Sequence, residues 1–547
     1  MKNNFRGCGV TTKIIFHKVL SSFLFLSPMA VETEQVILPA SESPTRGIVG
    51  AATILAAGNV ASRVLGLGRE LVIADLFGAS GYVSVFRVAS TLVLTLYDFL
   101  VGGLITAALV PTFSEYAERK QEYWQLVSTV LSVLALLLAL AVLILEWFAE
   151  PLFTLLGSGY DENLRAAGVQ MIRLILPAIF FLGVAGVLSG ILLSLKKFTL
   201  PSFTTAAFNL SIIVCALALT PVFGITSVVI GVVVGAASQV LLQLIGLRKS
   251  PLKFSLNFKH PALNQIARLY VPVLGGLSVM IVGVTIDRNL ASHTGAQSLA
   301  WMQAATYLVQ LPLGLVATAI SFAILPNLSR AISQDDFRHT LAFGLKLVLL
   351  LIVPCVVALF VLALPVVALL YEHGAFTAND TMETSRALQF YLFGTLFAAI
   401  DQPLVFAFYA RKNTLLPNLV AVVGLGIYLV VAFALIQPLG YLGLVLANSA
   451  QLIGHALVML LLTHTRLGGV GGKGVGTTTL KLVGAGAVMG AAMLFLPTLN
   501  VLDGFFGELV RVIFPALLGG IIYVVVLRVL RVRELEQMWG VVRRRGR

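Results

Sequence analysis

The chain has 547 residues, 58% of them hydrophobic and only 11% charged, with a mean hydropathy of +0.97. So little charge excludes a soluble globular protein of this length. The formal net charge of +13 does not call for nucleic acid, because the lysines and arginines that hold a membrane protein's cytoplasmic loops in place account for it.

The first 46 residues stand apart. MKNNFRGCGVTTKIIFHKVLSSFLFLSPMA has a basic start and a short apolar core, like a signal peptide. Cleavage would leave the new N-terminus outside, against the loop charges below. Residues 1–46 are therefore read as an uncleaved cytoplasmic extension or a start codon set too early, closing in a polar linker. From residue 48 onward the apolar residues come in blocks of about 20, which predicts membrane-spanning helices and not the short alternating strands of a barrel. Fourteen are predicted, over roughly 48–76, 84–113, 123–148, 166–194, 202–221, 225–247, 266–291, 299–328, 340–369, 383–410, 416–435, 440–463, 478–497 and 509–530. Loops after even-numbered spans carry Arg119, Lys120, Lys196, Lys197, Arg248, Lys249, Lys259, Arg411, Lys412, Arg466 and Lys473, and the tail adds Arg543, Arg544, Arg545 and Arg547. The opposite loops are acidic in places, as in YDENLR and YEHGAFTANDTMET, with Arg165 the clear exception. This bias predicts both termini in the cytoplasm. The three cysteines, Cys8, Cys215 and Cys355, are isolated, so disulfide and zinc readings fail.

The chain repeats itself. AALVPTFSEY, ending the second span, matches FAILPNLSRA, ending the eighth, and pairs Pro111 and Ser114 with Pro326 and Ser329. LKKFTLP after the fourth span matches ARKNTLLP after the tenth, pairing Lys196, Lys197 and Thr199 with Arg411, Lys412 and Thr414 at the same offset of 215. Six spans per repeat bring both halves into the membrane from one side, so the repeat is parallel. The expected architecture is all-α and polytopic: an N-lobe of spans 1–6 (47–250), a pseudo-symmetric C-lobe of spans 7–12 (251–465), two further helices (466–530) and a basic cytoplasmic tail (531–547). Such halves commonly enclose a site with alternating access; a non-transporting scaffold is the bland alternative.

Charge at the bilayer centre costs about 2.5–3.5 kcal/mol on insertion scales, so charges kept there mark candidate sites. The first span holds SRVLGLGRE, with Arg63, Arg69 and Glu70. Arg63 and Glu70 share a helical face, Arg69 points elsewhere, and Gly66 and Gly68 permit a bend or local unwinding that would aim both guanidiniums at one cavity. Asp287 and Arg288 in span 7 roughly answer Arg69 and Glu70; Arg87 and Asp98 lie in span 2, and Asp401 in span 10 beside Pro403. Arginines suit a phosphate or pyrophosphate headgroup through planar, bidentate contact. The bland readings are local Arg69–Glu70 and Asp287–Arg288 ion pairs, an Arg87 that snorkels to the interface, and a protonated Asp401 bonded to backbone freed by Pro403. GGVGGKGVGTTT lacks the ending and preceding strand of a phosphate loop and reads as a flexible linker.

SRVLGLGRELVIADLFGA, ALVPTFSEY, ILPNLSRAIS, YEHGAFTANDT and AFYARKNTLLPN together resemble, in order, landmarks of the MurJ/MviN lipid II flippases, within the multidrug/oligosaccharidyl-lipid/polysaccharide exporter superfamily. The resemblance covers about residues 48–530 and implies fourteen spans in two lobes. It implies transport of lipid II, an undecaprenyl-pyrophosphate-linked disaccharide-pentapeptide, to the outer leaflet for peptidoglycan synthesis, without nucleotide hydrolysis or an enzymatic cofactor. Arg63 and Arg69 match arginines lining the family's central cavity, and Glu70 an acidic position beside the second. The last two helices match a groove proposed to hold the lipid tail. The chain also departs from the pattern. Ser84 stands where many members have an Asp; Tyr97, Asp98, Gly102 and Gly103 stand where an Arg pair and Glu-Gly are frequent; Ala305, Thr306, Tyr307 and Leu308 replace ADRL. Tyr97 and Tyr307 thus replace two cavity arginines, with Arg87 and Arg288 as partial compensation, and the cavity is expected to be less cationic than usual.

The leading expectation is an inner-membrane lipid II flippase whose substrate-binding residues are Arg63, Arg69, Glu70, Arg87, Tyr97, Asp98, Asp287, Arg288 and Tyr307. The drive would be a coupling cation (Na+ or H+, with Asp98 and Asp401 as possible ion-coupling residues) or the membrane potential. Membrane lipids, and the cell-wall synthesis machinery, are the expected partners. The alternatives are a flippase for another polyprenyl-pyrophosphate-linked oligosaccharide, of O-antigen or exopolysaccharide type, and an ion-coupled multidrug exporter, against which the span-1 arginines argue.

Overall fold

The structure, a computed structural model, describes residues 45–257, 260–495 and 505–536. The expectations for the N-terminal extension before Thr45, for Lys259 and for the arginine tail beyond residue 536 lie outside the described residues. Fourteen long helices follow one another: α1 (Thr45–Phe77), α2 (Gly81–Tyr116), α3 (Lys120–Trp147), α4 (Glu162–Ser194), α5 (Thr199–Phe223), α6 (Thr226–Leu247), α7 (Pro261–Ser292), α8 (Ser298–Arg330), α9 (Gln334–Val361), α10 (Ala378–Ala410), α11 (Leu415–Leu439), α12 (Tyr441–Arg466), α13 (Val475–Leu494) and α14 (Phe505–Val529). They coincide with the predicted spans to within about five residues, because each is a long apolar block ended by Gly, Pro or charge; the exception is the ninth, whose predicted 340–369 runs on through a break at Leu362 into the separate helix Ala363–Tyr371. Among the described residues twelve of them, all but α1 and α7, are long and apolar enough to cross a membrane. α1 and α7 are 33 and 32 residues long. The charges of α7 flank an uncharged run from Leu269 to Ile286, whereas those of α1, apart from Arg46 in its first turn, fall within its second half.

The repeat is written into the backbone more strongly than into the sequence. α3 and α9 are both 28 residues long, and each is followed by a nine-residue helix, Ala149–Gly157 or Ala363–Tyr371. α5 and α11 are both 25 residues long and end at glycines with positive φ, Gly224 (53°) and Gly440 (57°). The turns before them place Lys196 and Lys412 at φ 59° and 57°. α2 and α8 are both interrupted by π turns, Asp98–Gly102 and Ile105–Leu109 in one, Leu313–Thr318 in the other. The offset is not the constant 215 of the sequence motifs. It falls from 217 at the starts of α2 and α8 to 214 at their ends and at α3 and α9, because α2 is 36 residues long and α8 33, and it returns to 216 at α4 and α10 through a two-residue difference in the preceding loop. Lys196 consequently answers Lys412, not Arg411.

The chain divides into two compact units, one ending at Gln297 and the other beginning at Ser298. In the first, α1 packs on α5, α5 on α6, α6 on α4 and α4 on α3. In the second, α11 packs on α12, α12 on α10 and α10 on α9, the same neighbours in the same order. α13 then packs on α9, and α14 on α13. Their shared core joins Val348, Ile352 and Val353 to Leu482, Ala485, Met489 and Tyr523. α7 belongs to the first unit by its packing. Its Tyr270 hydroxyl donates to the Phe99 carbonyl in the π segment, and its far end is held by Asn289, which donates to Leu155 O (3.0 Å) and Ser158 Oγ (2.9 Å).

Two readings of glycine change. α1 runs helically through Gly66 and Gly68 with no unwinding. Both are packing positions against α5: side chains there would meet Asn209 and Ile213, and a Cβ on Gly58 would stand 2.2 Å from the Ser202 carbonyl oxygen. Missing side chains let the two helices approach closely. The glycine-rich stretch after α12 is also not a slack linker. The Arg338 guanidinium at the start of α9 donates to Gly469 O (2.9 Å) and Gly471 O (3.0 Å), Gln334 donates to Leu467 O, and Lys473 pairs with Asp335 at 2.6 Å. Glycines 468, 469, 472 and 474 all take positive φ, which the tight path requires.

Candidate functional site

The turn between α1 and α2 sets the site's register. Gly78 adopts φ 61°, and Ser80 caps α2 by accepting from the Val83 N–H. Glu70 lies seven residues before the end of α1 and Arg87 six residues after the start of α2, roughly 10 Å from the turn in each case. Their long side chains therefore meet across the hairpin. Glu70, 3% exposed, accepts from two guanidiniums at once. Arg69 Nε and Nη2 donate to Oε1 (3.0 and 2.7 Å), and Arg87 Nη1 and Nη2 donate to Oε1 and Oε2 as a two-pronged pair. Arg69 Nη1 reaches across to Asn209 Oδ1 on α5 at 3.0 Å, and the Asn209 amide donates back to the Ser62 carbonyl.

The cluster holds two positive charges and one negative. Adjacent residues Arg69 and Glu70 do form the local pair expected as the bland reading, and Arg87 joins it on the same carboxylate. Arg87 does not snorkel; its Nε is buried without an acceptor among the described residues. Arg63, two turns from Glu70 on α1, is half-buried, and among the described residues no hydrogen bond or ion pair holds it. Two guanidiniums oriented by a shared carboxylate, with a third nearby, can receive a doubly charged phosphate group through charge-assisted hydrogen bonds.

The other predicted residues are distributed elsewhere. Tyr97 directs its hydroxyl towards Gly186 on α4. Asp98 opens the first π turn and folds its carboxylate back over Gly102. Arg288 is buried near the end of α7, where it pairs with Asp287 at 3.6 Å and stands beside the Tyr160 phenol. Tyr307 is half-buried in α8. Asp401 lies in the second unit with His455, Oδ2 to Nδ1 at 2.9 Å. Sequence reasoning missed Asn209 and His455. Asn209 carried a usable signal, a polar amide within an otherwise apolar helix, but neither residue is charged in sequence, and their partners lie 140 and 54 positions away.

Residues 73–514 match the family described as lipid II flippase MurJ. The lipid II flippase MurJ of Burkholderia cenocepacia is 29% identical over 418 residues, 73% of this chain and 80% of that relative. A solved lipid II flippase MurJ in an inward closed conformation superposes with a TM-score of 0.75 at 25% identity, covering 88% of this chain and 100% of that one. An inward-facing multidrug resistance MATE family transporter of the MOP superfamily shares the fold, with a TM-score of 0.62 at 15% identity over 74% of this chain and 94% of the other. The matched stretch takes in all fourteen helices in whole or in part, α1 only over its last five residues. A multi-pass, all-helical transporter with a duplicated six-helix plan, the chain belongs to the lipid II flippase MurJ family.

Proposed function

We propose that this chain translocates lipid II, an undecaprenyl-pyrophosphate-linked peptidoglycan precursor, across the bacterial cytoplasmic membrane by alternating access. The observation that carries the reading is the surplus of guanidinium around Glu70. Arg63, Arg69 and Arg87 supply donors to the pyrophosphate, Glu70 and Asn209 fix the planes of the last two, and the prenyl chain stays in lipid. Glu70 also keeps the empty site from being so cationic that anions never leave. Both termini face the cytoplasm, where the basic loops lie and where the precursor is made; cell-wall synthesis enzymes on the far side consume it. A coupling cation or the membrane potential supplies the drive, with Asp98 and Asp401 as the acidic groups available for it.

Tyr97 and Tyr307 favour one second reading, a flippase for a different polyprenyl-pyrophosphate oligosaccharide, because each offers a hydroxyl and no charge. Native mass spectrometry of the purified protein with a panel of lipid-linked pyrophosphates tests both. Preferential retention of lipid II, lost in Arg63→Ala, supports the first; preference for a glycan lacking the pentapeptide supports the second. Growth rescue of a strain depleted of its own flippase provides the cellular counterpart.

A further inference from the structure

We propose that Asp401 and His455 form a proton-carrying site inside the second unit, built across α10, α11 and α12. Asp401 Oδ2 stands 2.9 Å from His455 Nδ1, with 17% and 15% of the two side chains exposed. Pro417 on α11 lies beside the ring and, having no N–H, offers it only a carbonyl. Nδ1 faces the carboxyl at ion-pair distance without meeting hydrogen-bond geometry among the described residues. Beyond the one proton that every neutral imidazole carries, the pair can hold a further proton, on the ring or on the carboxyl.

Whether that proton sits on the imidazole or on the carboxyl, the pair is neutral overall and tolerable in a low-dielectric interior. Removing it leaves a carboxylate beside a neutral ring; adding a second leaves an imidazolium beside a carboxylic acid. Each change alters the buried charge by one, and a loading step of this kind needs no reactant besides water at either surface. Asp401 Oδ1 is buried without a hydrogen-bond partner among the described residues, which leaves an acceptor ready for the incoming proton.

The surroundings isolate the pair. The Tyr409 phenol, two turns along α10, feels the Asp401 carboxylate. α11 presents Gly424 against the His455 ring and Gln451. α8 carries no charged side chain before Arg330 at its end. Lys346 of α9 is committed to Glu534 at 2.8 Å, and Arg411 lies over the Phe337 ring.

The use made of the proton rests on the flippase reading; the site itself does not, and the test separates them. In wild-type protein in lipid nanodiscs, nitrogen-15 histidine NMR should show His455 titrating, and Asp401→Asn should displace its midpoint. In proteoliposomes carrying fluorescent lipid II, an imposed pH gradient should raise the wild-type flipping rate. The ratio of rates with and without the gradient should fall to one in Asp401→Asn and in His455→Gln, and recover in part in Asp401→Glu. A His455 that keeps one protonation state between about pH 4 and 10, or an unchanged ratio in both variants, overturns the proposal. Wild type that titrates at His455 yet moves no lipid II refutes the flippase reading and leaves the proton site in place.

Discussion

Around Glu70 two guanidiniums share one carboxylate, whereas around Asp401 a single imidazole answers a single carboxyl. Both arrangements are built on the same six-helix plan, at places the duplication does not relate. The first unit sets more than one guanidinium on a single carboxylate, which suits a passing anion. The second holds a balanced pair whose charge depends on one proton. The lesson is that duplication supplies packing and register, and that each copy then takes on its own electrostatic task.

The sharpest way to break the comparison is Glu70→Ala. Two adjacent, largely buried guanidiniums would lose the carboxylate they share, at a cost of about 3–5 kcal/mol, read as a fall in the thermal midpoint in detergent. Glu70→Ala combined with Arg87→Ala should recover much of that loss, and additive effects would show that the three residues do not act as a unit. Arg63→Ala comes next. It should slow flipping by about 10–100-fold, the worth of one charge-assisted hydrogen bond, while the thermal midpoint stays at the wild-type value; a stability loss instead would make Arg63 structural. Asn209→Ala removes one bond to a charged group and should destabilise by about 1.5 kcal/mol, with flipping reduced several-fold as the Arg69 plane loosens. The smallest effect is expected in the second unit. Replacing both Asp401 and His455 by leucine should leave stability nearly unchanged, since a balanced buried pair is often dispensable for folding; a large loss there would mean the pair is structural.

Much of the fold was legible because a membrane helix is a long apolar block, and charges inside such blocks stand out. Arg63, Arg69, Glu70 and Arg87 were visible for that reason. What joined them was not. The Glu70–Arg87 contact depends on the turn at Gly78, and the Arg69–Asn209 contact on α5 folding back along α1. Gly66 and Gly68 were misread as hinges because a missing side chain permits bending and close approach alike, and only the neighbour decides. The glycine-rich stretch after α12 was misread as slack because its ligand, Arg338, comes from 131 to 133 residues earlier. A one-dimensional reading catches residues that lipid would reject, and overlooks neutral ones such as Asn209 whose role comes from a distant partner.

The loop clasped by Arg338 has a mechanical corollary. α13 follows α12 in the chain, yet Arg338, Gln334, the Lys473–Asp335 and Lys346–Glu534 bridges and the shared core weld it and α14 to α9. A fluorophore attached at the outward-facing Val483 or Val488 would therefore serve as a tilt gauge for α9, insensitive to rotations confined to α12.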